Sequence, residues 1–111
     1  MIVGASVVEI YIHGCRSLKA KRGVVRSISR RVRNRFNLSV AEVGGQDTWQ
    51  RAVLGLTAAG SEAVVVRNLL ERAHTFIEEL HLAEVRNVDV EVLDLPHAEG
   101  MWDPEPSDDG E

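Results

Sequence analysis

The segment "LSVAEVGGQDTWQRAVLGLTA", Leu38 to Ala58, predicts two strands that pair with each other. Its β-rich runs are Leu38 to Val43 and Trp49 to Ala58. The glycines and the aspartate in "GGQDT" between the two runs suit a hairpin connection. An antiparallel pair of strands therefore forms the middle of the predicted element order.

One strand and one helix precede this hairpin. From Ile2 to His13 the residues alternate between apolar and polar, which is the period of a half-buried strand. Ser17 can cap a helix that reaches Phe36. The apolar residues of that segment recur at the spacing of an amphipathic helix: Leu18, Val25, Ile28, Val32 and Phe36.

A second helix and a last strand follow the hairpin. Gly60 and Ser61 are predicted to open the helix, and residues 85–95 alternate like a strand. The residues expected on the core side of this helix are Val65, Leu69, Ala73, Phe76, Ile77 and Leu80.

This order of elements predicts an α+β fold, the ferredoxin-like βαββαβ sandwich. In that fold a four-stranded antiparallel sheet carries both helices on one face, so its other face is left uncovered. Residues 1–95 are predicted to form this single domain. Residues 96–111 contain three prolines, six acids and no Lys or Arg, so we expect an acidic mobile tail.

The predicted first helix carries a concentrated positive charge. Between Arg16 and Arg35 the chain has nine Lys or Arg and no acid, although its formal net charge is -4. Without the acidic tail, thirteen bases face eleven acids. On a helical wheel five of the cations fall within roughly 80° of one another. These five residues, called the basic stripe below, are Lys19, Arg22, Arg26, Arg30 and Arg33.

The basic stripe is hard to explain by helix stability alone. Like charges three and four residues apart destabilise a helix, and Lys19 and Arg22 lie near its positive end. Arginine also supplies planar, bidentate donors that suit phosphate. We therefore predict that the stripe contacts RNA or the ribosome, with Arg16, Arg35 and Arg51 as further contacts. The alternatives are an acidic protein partner, or a solvated face paired with acids on the second helix or the tail.

The uncovered sheet face supplies a second candidate surface. Alternation in the third strand places Trp49 and Arg51 on that face, beside Tyr11 and Glu9 of the first strand. Aromatic residues on a bare sheet can stack on RNA bases, but they more often form a protein interface. The alternative prediction is therefore a homodimeric interaction module anchored by Tyr11, Trp49 and Arg51.

Other classes of function receive little support from the sequence. His13 and Cys15 form an H-x-C pair, but the remaining histidines are scattered, so we expect no metal site. There is no phosphate-binding glycine loop, carboxylate pair or nucleophile elbow, so we expect no enzymatic activity, cofactor or small-molecule substrate. No apolar run reaches the length of a membrane span, and the single cysteine gives no sign of an oxidising compartment. These features indicate a cytoplasmic protein.

Two stretches, "GCRSLKAKRGVVRSISRRVRNRFNLSVAEVG" and "QDTWQRAVLG", resemble the YlxP-like family of small bacterial proteins, which carries a domain of unknown function. The order and spacing of the R-S-L-K-x-K-R, R-N-R-F-N-x-S-V-A-E-V and D-x-W-Q-R-A segments make the resemblance specific. It covers residues 2–95. The resemblance implies a ferredoxin-like fold. It also implies a link to translation, since such genes often lie beside those for an initiation factor and ribosome-binding factor A.

Overall fold

The computed structural model describes residues 1–46 and 48–97. It contains the six predicted elements in the predicted order. Their bounds are β1 Ile2–Tyr11, α1 Leu18–Arg35, β2 Ser39–Gly44, β3 Arg51–Gly60, α2 Ala63–Glu79 and β4 Glu84–Asp94. The sequence prediction of an α+β ferredoxin-like fold is confirmed.

The four strands form one antiparallel sheet in the order β2-β3-β1-β4. β1 lies in the interior of the sheet and pairs along its whole length with β3, from Ile2 opposite Gly60 to Tyr11 opposite Arg51. Its other neighbour is β4. Because β1 and β2 are separated by β3, the connection through α1 must cross over the sheet, which puts the helix on one face.

The core lies between the helices and one face of the sheet. Alternate residues of β1 and β3 are buried, and α1 and α2 bury their apolar sides against them. The fully buried large side chains are Val8, Ile10, Ile28, Val32, Leu54, Leu56, Val66, Leu70 and Ile77. This packing leaves the alternate residues of the strands, those that point away from the helices, on a second and open sheet face.

The side of α2 that faces the core differs from the prediction. Val65 was expected in the core but is 60% exposed, while Val66 and Leu70 are buried. Gly4 of β1 explains the choice, because a Cβ there would lie 2.5 Å from Val66 and 2.8 Å from Leu70. The bare glycine lets the helix approach the sheet along these two side chains. The helix also begins later than predicted, with Glu62 as its N-cap instead of Ser61.

The third strand begins two residues later than predicted, at Arg51 instead of Trp49. Strand alternation therefore cannot place Trp49 on the open face, and that part of the prediction is corrected. At the other end of the domain, Leu95 N donates to Met1 O over 2.7 Å, which ties the end of β4 to the start of β1. Most of the predicted acidic tail, residues 98–111, lies outside the described residues.

Candidate nucleic-acid interface

The helix that carries the basic stripe starts at a side-chain cap, as predicted. Ser17 has an extended backbone, and its Oγ accepts a hydrogen bond from Ala20 N over 3.0 Å. The first turn contains no acid, so no carboxylate offsets the positive helix end beside Lys19. At the far end, Arg33 and Arg35 lie in the last turn, where cations are favourable.

All five residues of the basic stripe are exposed. Val25, Ile28 and Val32 face the core from the other side of the helix. Within residues 1–46 and 48–97, none of the five stripe side chains has a hydrogen bond or an ion pair. The described acids of α2 therefore do not neutralise the stripe, and its charge is directed to solvent.

The other predicted phosphate contacts have different surroundings. Arg16 is exposed and precedes the helix cap. The Arg35 guanidinium lies 5.1 Å from the centre of the Phe76 ring and 5.8 Å from that of Phe36. Arg51 donates through Nε to Glu9 Oε2 over 2.5 Å. Arg35 and Arg51 therefore already have partners within the fold, whereas the stripe residues do not.

One cation of the charged segment, Lys21, is buried instead of exposed. Its side chain is on the core side of α1 and only 2% of the residue is accessible. The Nζ atom donates to the backbone oxygens of Gly45, Thr48 at 2.7 Å and Arg51 at 3.0 Å. An ammonium group has three N–H donors, so these three carbonyls use all of them. We call this arrangement the lysine lock.

Glu42 completes the charge balance of the lysine lock. It lies on the core-facing side of β2, and its Oε2 is 3.4 Å from Lys21 Nζ. That oxygen is buried and accepts no hydrogen bond from the described residues. Glu42 and Lys21 therefore attract each other as two partly desolvated charges. This attraction is much stronger than that between the same two groups in water.

Further hydrogen bonds join the hairpin to the start of α1. Gln50 Nε2 donates to Cys15 O over 2.8 Å, and Ile12 N donates to Gln50 O over 2.6 Å. Thr48 Oγ1 donates to Gly45 O at 3.0 Å. The two stretches that carry the family resemblance therefore meet at one end of the sheet, where residues from one stretch hold the backbone of the other.

A second group of polar side chains lies on the open sheet face. Glu9 accepts hydrogen bonds from Arg51 on β3 and from Asn87 Nδ2 on β4, the latter over 2.6 Å. The hydrogen bond from Asn87, followed by that from Arg51, lowers the pKa of the Glu9 carboxyl. Glu9 therefore bridges three strands as a carboxylate whose charge is largely satisfied.

Tyr11 is on the same face, as predicted, but its ring is covered. The pairing of β1 with β4 shifts between Glu9 and Ile10, which leaves Arg86 as an extra residue in β4. Its guanidinium lies 3.8 Å from the centre of the Tyr11 ring. His13 packs against the ring edge with centroids 4.7 Å apart. The His13 Nε2 also hydrogen-bonds Glu84 Oε1 at 2.7 Å, which lowers the pKa of the Glu84 carboxyl. Tyr11 is thus not a bare stacking platform.

Trp49 belongs to the hairpin loop and is 49% exposed. The lysine lock holds the carbonyls of Thr48 and Arg51, on either side of it along the chain. The indole has no ring contact or hydrogen bond with the described residues. Asp47, which is predicted to lie in the turn, is outside the described residues.

The described residues offer no metal-binding group of three or more His, Cys, Asp and Glu side chains. Cys15 is buried, and His13 is engaged with Glu84. His74 of α2 is buried and hydrogen-bonds Ser6 Oγ of β1 over 2.9 Å. Burial lowers the pKa of His74, which favours the neutral ring. Neither described helix is long and apolar enough to cross a membrane.

The chain belongs to the family described as "Protein of unknown function (DUF503)", which matches residues 3–90. It is 42% identical over 77 residues to the "Uncharacterized protein YlxP" of Bacillus subtilis (strain 168). That alignment covers 69% of this chain and 84% of the Bacillus protein. The YlxP-like resemblance seen in the sequence is therefore confirmed.

Among solved structures, the chain is similar to the crystal structure of At3g17210 from Arabidopsis thaliana. The TM-score is 0.46 and the sequence identity 14%, over 86% of this chain and 97% of that one.

Proposed function

We propose that this protein is a non-enzymatic accessory protein of the cytoplasm that binds RNA or the ribosome and acts in translation, with the basic stripe as its contact surface. One observation carries the proposal: five exposed cations on one side of α1 have no acid partner among the described residues. A cationic surface without internal partners is most strongly stabilised by an external anion.

The length of the basic stripe favours a polyanion over a single anionic group. From Lys19 to Arg33 the helix rises about 21 Å, at ~1.5 Å per residue. The cations recur every three or four residues along this length. Such a row matches the repeated phosphates of a nucleic-acid strand, and its binding energy comes largely from release of the counterions that the phosphates had condensed.

A membrane surface fits the helix less well. An amphipathic helix binds a bilayer by inserting its apolar side. In α1 the apolar side chains of Val25, Ile28 and Val32 are buried in the protein core. Binding to lipid through this helix would therefore rely on charge alone, whereas RNA binding needs nothing beyond the exposed cations.

The proposal is tested by titrating the full chain with a structured RNA and with ribosomal subunits, at two salt concentrations. Five phosphate contacts predict that affinity falls about a hundredfold or more between 50 and 200 mM salt. The double variant Arg26→Glu/Arg30→Glu should lose binding while it keeps the thermal stability of the parent. Arg67→Glu/Arg72→Glu, which makes the same change of charge on α2, is the matched control and should retain most of the affinity.

Two results would reject the proposal. The first is the absence of binding to either RNA or ribosomal subunits at low salt. The second is an equal loss of affinity in the α1 and α2 variants, since that would mean that overall charge, and not the basic stripe, determines binding. Capture of an acidic protein by the parent, but not by the α1 variant, would assign the stripe to a protein partner instead.

A further inference from the structure

The open face of the sheet exposes aliphatic side chains that no described segment covers. Val7 of β1, Val43 of β2 and Leu93 of β4 are 42%, 55% and 53% exposed. The register places all three on the side away from the helices, because their neighbours in each strand face the core. Exposed aliphatic residues therefore lie on three strands of one face, and exposed apolar side chains gathered on one face are a mark of an interaction site.

The middle of this face is low and flat. Gly55 of β3 lies opposite both Val7 and Ala41. A Cβ at Gly55 would lie 3.1 Å from a methyl group of Val43, so the glycine allows that valine to lie over the strand. Ala5 and Ala59 add only methyl groups. A surface with so little relief is complementary to another flat surface, and sheets pack face to face about 10 Å apart.

The charges at one end of the face are compatible with burial. Glu9 is bonded to both Arg51 and Asn87, and Arg86 lies over Tyr11 and beside Glu84. Covering these groups would not strand an isolated charge, which is the costly event at an interface.

The open sheet face carries acidic groups without an ion pair and guanidinium donors without an acceptor among the described residues. Asp89 and Glu91 of β4 are exposed and have no ion pair with the described residues. Arg51 bonds only through Nε, and Arg86 only through one Nη atom, so further guanidinium N–H donors are free on the same face. A second copy would offer partners to both sets, whereas a purely acidic or purely basic partner would satisfy one.

The size of the face is adequate for a stable dimer. Four strands at ~4.8 Å spacing give a width of roughly 19 Å. Three of them have ten or eleven residues, a length of about 33 Å, while β2 has six. The accessible area over such a patch approaches the ~800 Å² per partner that specific interfaces bury.

We propose that two copies of this chain pack through their open sheet faces, with Val7 near the middle of the contact and Val43 and Leu93 on its two edge strands. The helices then lie on the two outer sides of the dimer, and so do the two basic stripes. This assembly does not depend on RNA binding, because it uses the opposite side of the sheet from α1.

Analytical ultracentrifugation of the full chain tests the dimer. The parent is expected at twice the single-chain mass of 12.3 kDa at about 100 μM, falling toward the single mass on dilution. Val7→Asp should give the single mass throughout, because it places a second carboxylate beside Asp89 in the middle of the contact. Val65→Asp is the matched control, since this valine is exposed on α2, and it should remain dimeric.

Circular dichroism establishes that each variant is folded, and Leu93→Asp serves as the second sheet-face variant if Val7→Asp does not fold. A parent at the single mass at about 100 μM would overturn the proposal. It would also be overturned if the dimer persisted in folded Val7→Asp and Leu93→Asp, or if only Val65→Asp dissociated it. Loss of RNA binding by Val7→Asp without any change of mass would assign the face to RNA instead.

Discussion

Lys21 and Arg22 are neighbours in α1 and carry the same charge, yet the fold uses them in opposite ways. Lys21 is buried, donates to three backbone carbonyls of the hairpin loop and lies near Glu42. Arg22 is exposed and has no polar partner among the described residues. A run of positive charge in a sequence can therefore contain two kinds of residue, one that stabilises the fold and one that is free for a partner.

The largest expected effect is on stability, at Lys21. Lys21→Met leaves three carbonyls and the Glu42 carboxylate without their cation, which should lower the free energy of unfolding by about 3 kcal/mol. Arg22→Met should change it by no more than about 0.5 kcal/mol, since it removes no contact. Urea denaturation of both variants measures the difference. Equal losses of stability in the two variants would contradict the view that Lys21 stabilises the fold and Arg22 does not.

The next effect concerns the loop that Lys21 holds. Gly45 and Gly14 both have positive φ, 79° and 74°. An added Cβ would lie 2.7 Å from Arg51 O at Gly45, but nothing lies within 4 Å at Gly14. Gly14→Ala should therefore cost about 1 kcal/mol of stability from the left-handed backbone alone, and Gly45→Ala about twice as much. A Gly45→Ala variant no less stable than Gly14→Ala would show that the loop is not held tightly.

A smaller effect on stability is expected at the start of α1, in the turn that carries the exposed Lys19. Ser17→Ala removes the cap bond to Ala20 N and should lower the free energy of unfolding by about 1 kcal/mol. Ser27→Ala, in the middle of the same helix, is the control and should be neutral or slightly stabilising. Chemical denaturation and helical circular dichroism measure both. If Ser17→Ala has no effect, the first turn, which carries Lys19, does not depend on its cap.

The smallest expected effect is on the pH dependence of stability, at His74. Unlike Lys21, this basic side chain is buried in its neutral form. Burial lowers the pKa of His74 below its usual value of 6.5, partly opposed by Glu71 and Glu78. The unfolded chain therefore takes up this proton first as the pH falls, so the stability that His74 contributes is present above pH 6.5 and is lost at lower pH. The fall in unfolding free energy between pH 7.5 and 5.5 should be smaller in His74→Gln than in the parent. An identical fall would contradict a neutral, buried ring.

The sequence contained much of what distinguishes the two kinds of cation. Lys21 lies four residues before Val25 and seven before Ile28, so helical spacing puts it on the core side, away from the basic stripe. Glu42 alternates with Ala41 and Val43 and follows Val40 on the core side of β2. A buried lysine and a core-facing acid could have been matched on this basis. The pair was nevertheless not predicted, because the predicted contacts concerned only the exposed cations of the basic stripe.

The carbonyl partners of Lys21 could not have been read from the sequence. Backbone oxygens are present at every residue, and their direction depends on the loop conformation, including the positive φ of Gly45. The same reason explains the error at Trp49, because only the fold shows that β3 begins after it. In α2 consecutive apolar residues, Val64 to Val66 and Leu69 to Leu70, allow either of two sides of the helix to face the core. The close approach of the helix to Gly4 determines that Val66 and Leu70 are the buried ones.

If the basic stripe is the free, phosphate-binding part of α1, RNA binding must depend on salt concentration through the stripe residues. A plot of log affinity against log salt concentration should have a slope of about -4 for the parent, since each neutralised phosphate contributes about 0.7 to 0.9. Arg30→Gln should make this slope shallower by nearly one unit, and Arg67→Gln on α2 should leave it unchanged. A parent slope near zero, or equal changes in the two variants, would contradict the account.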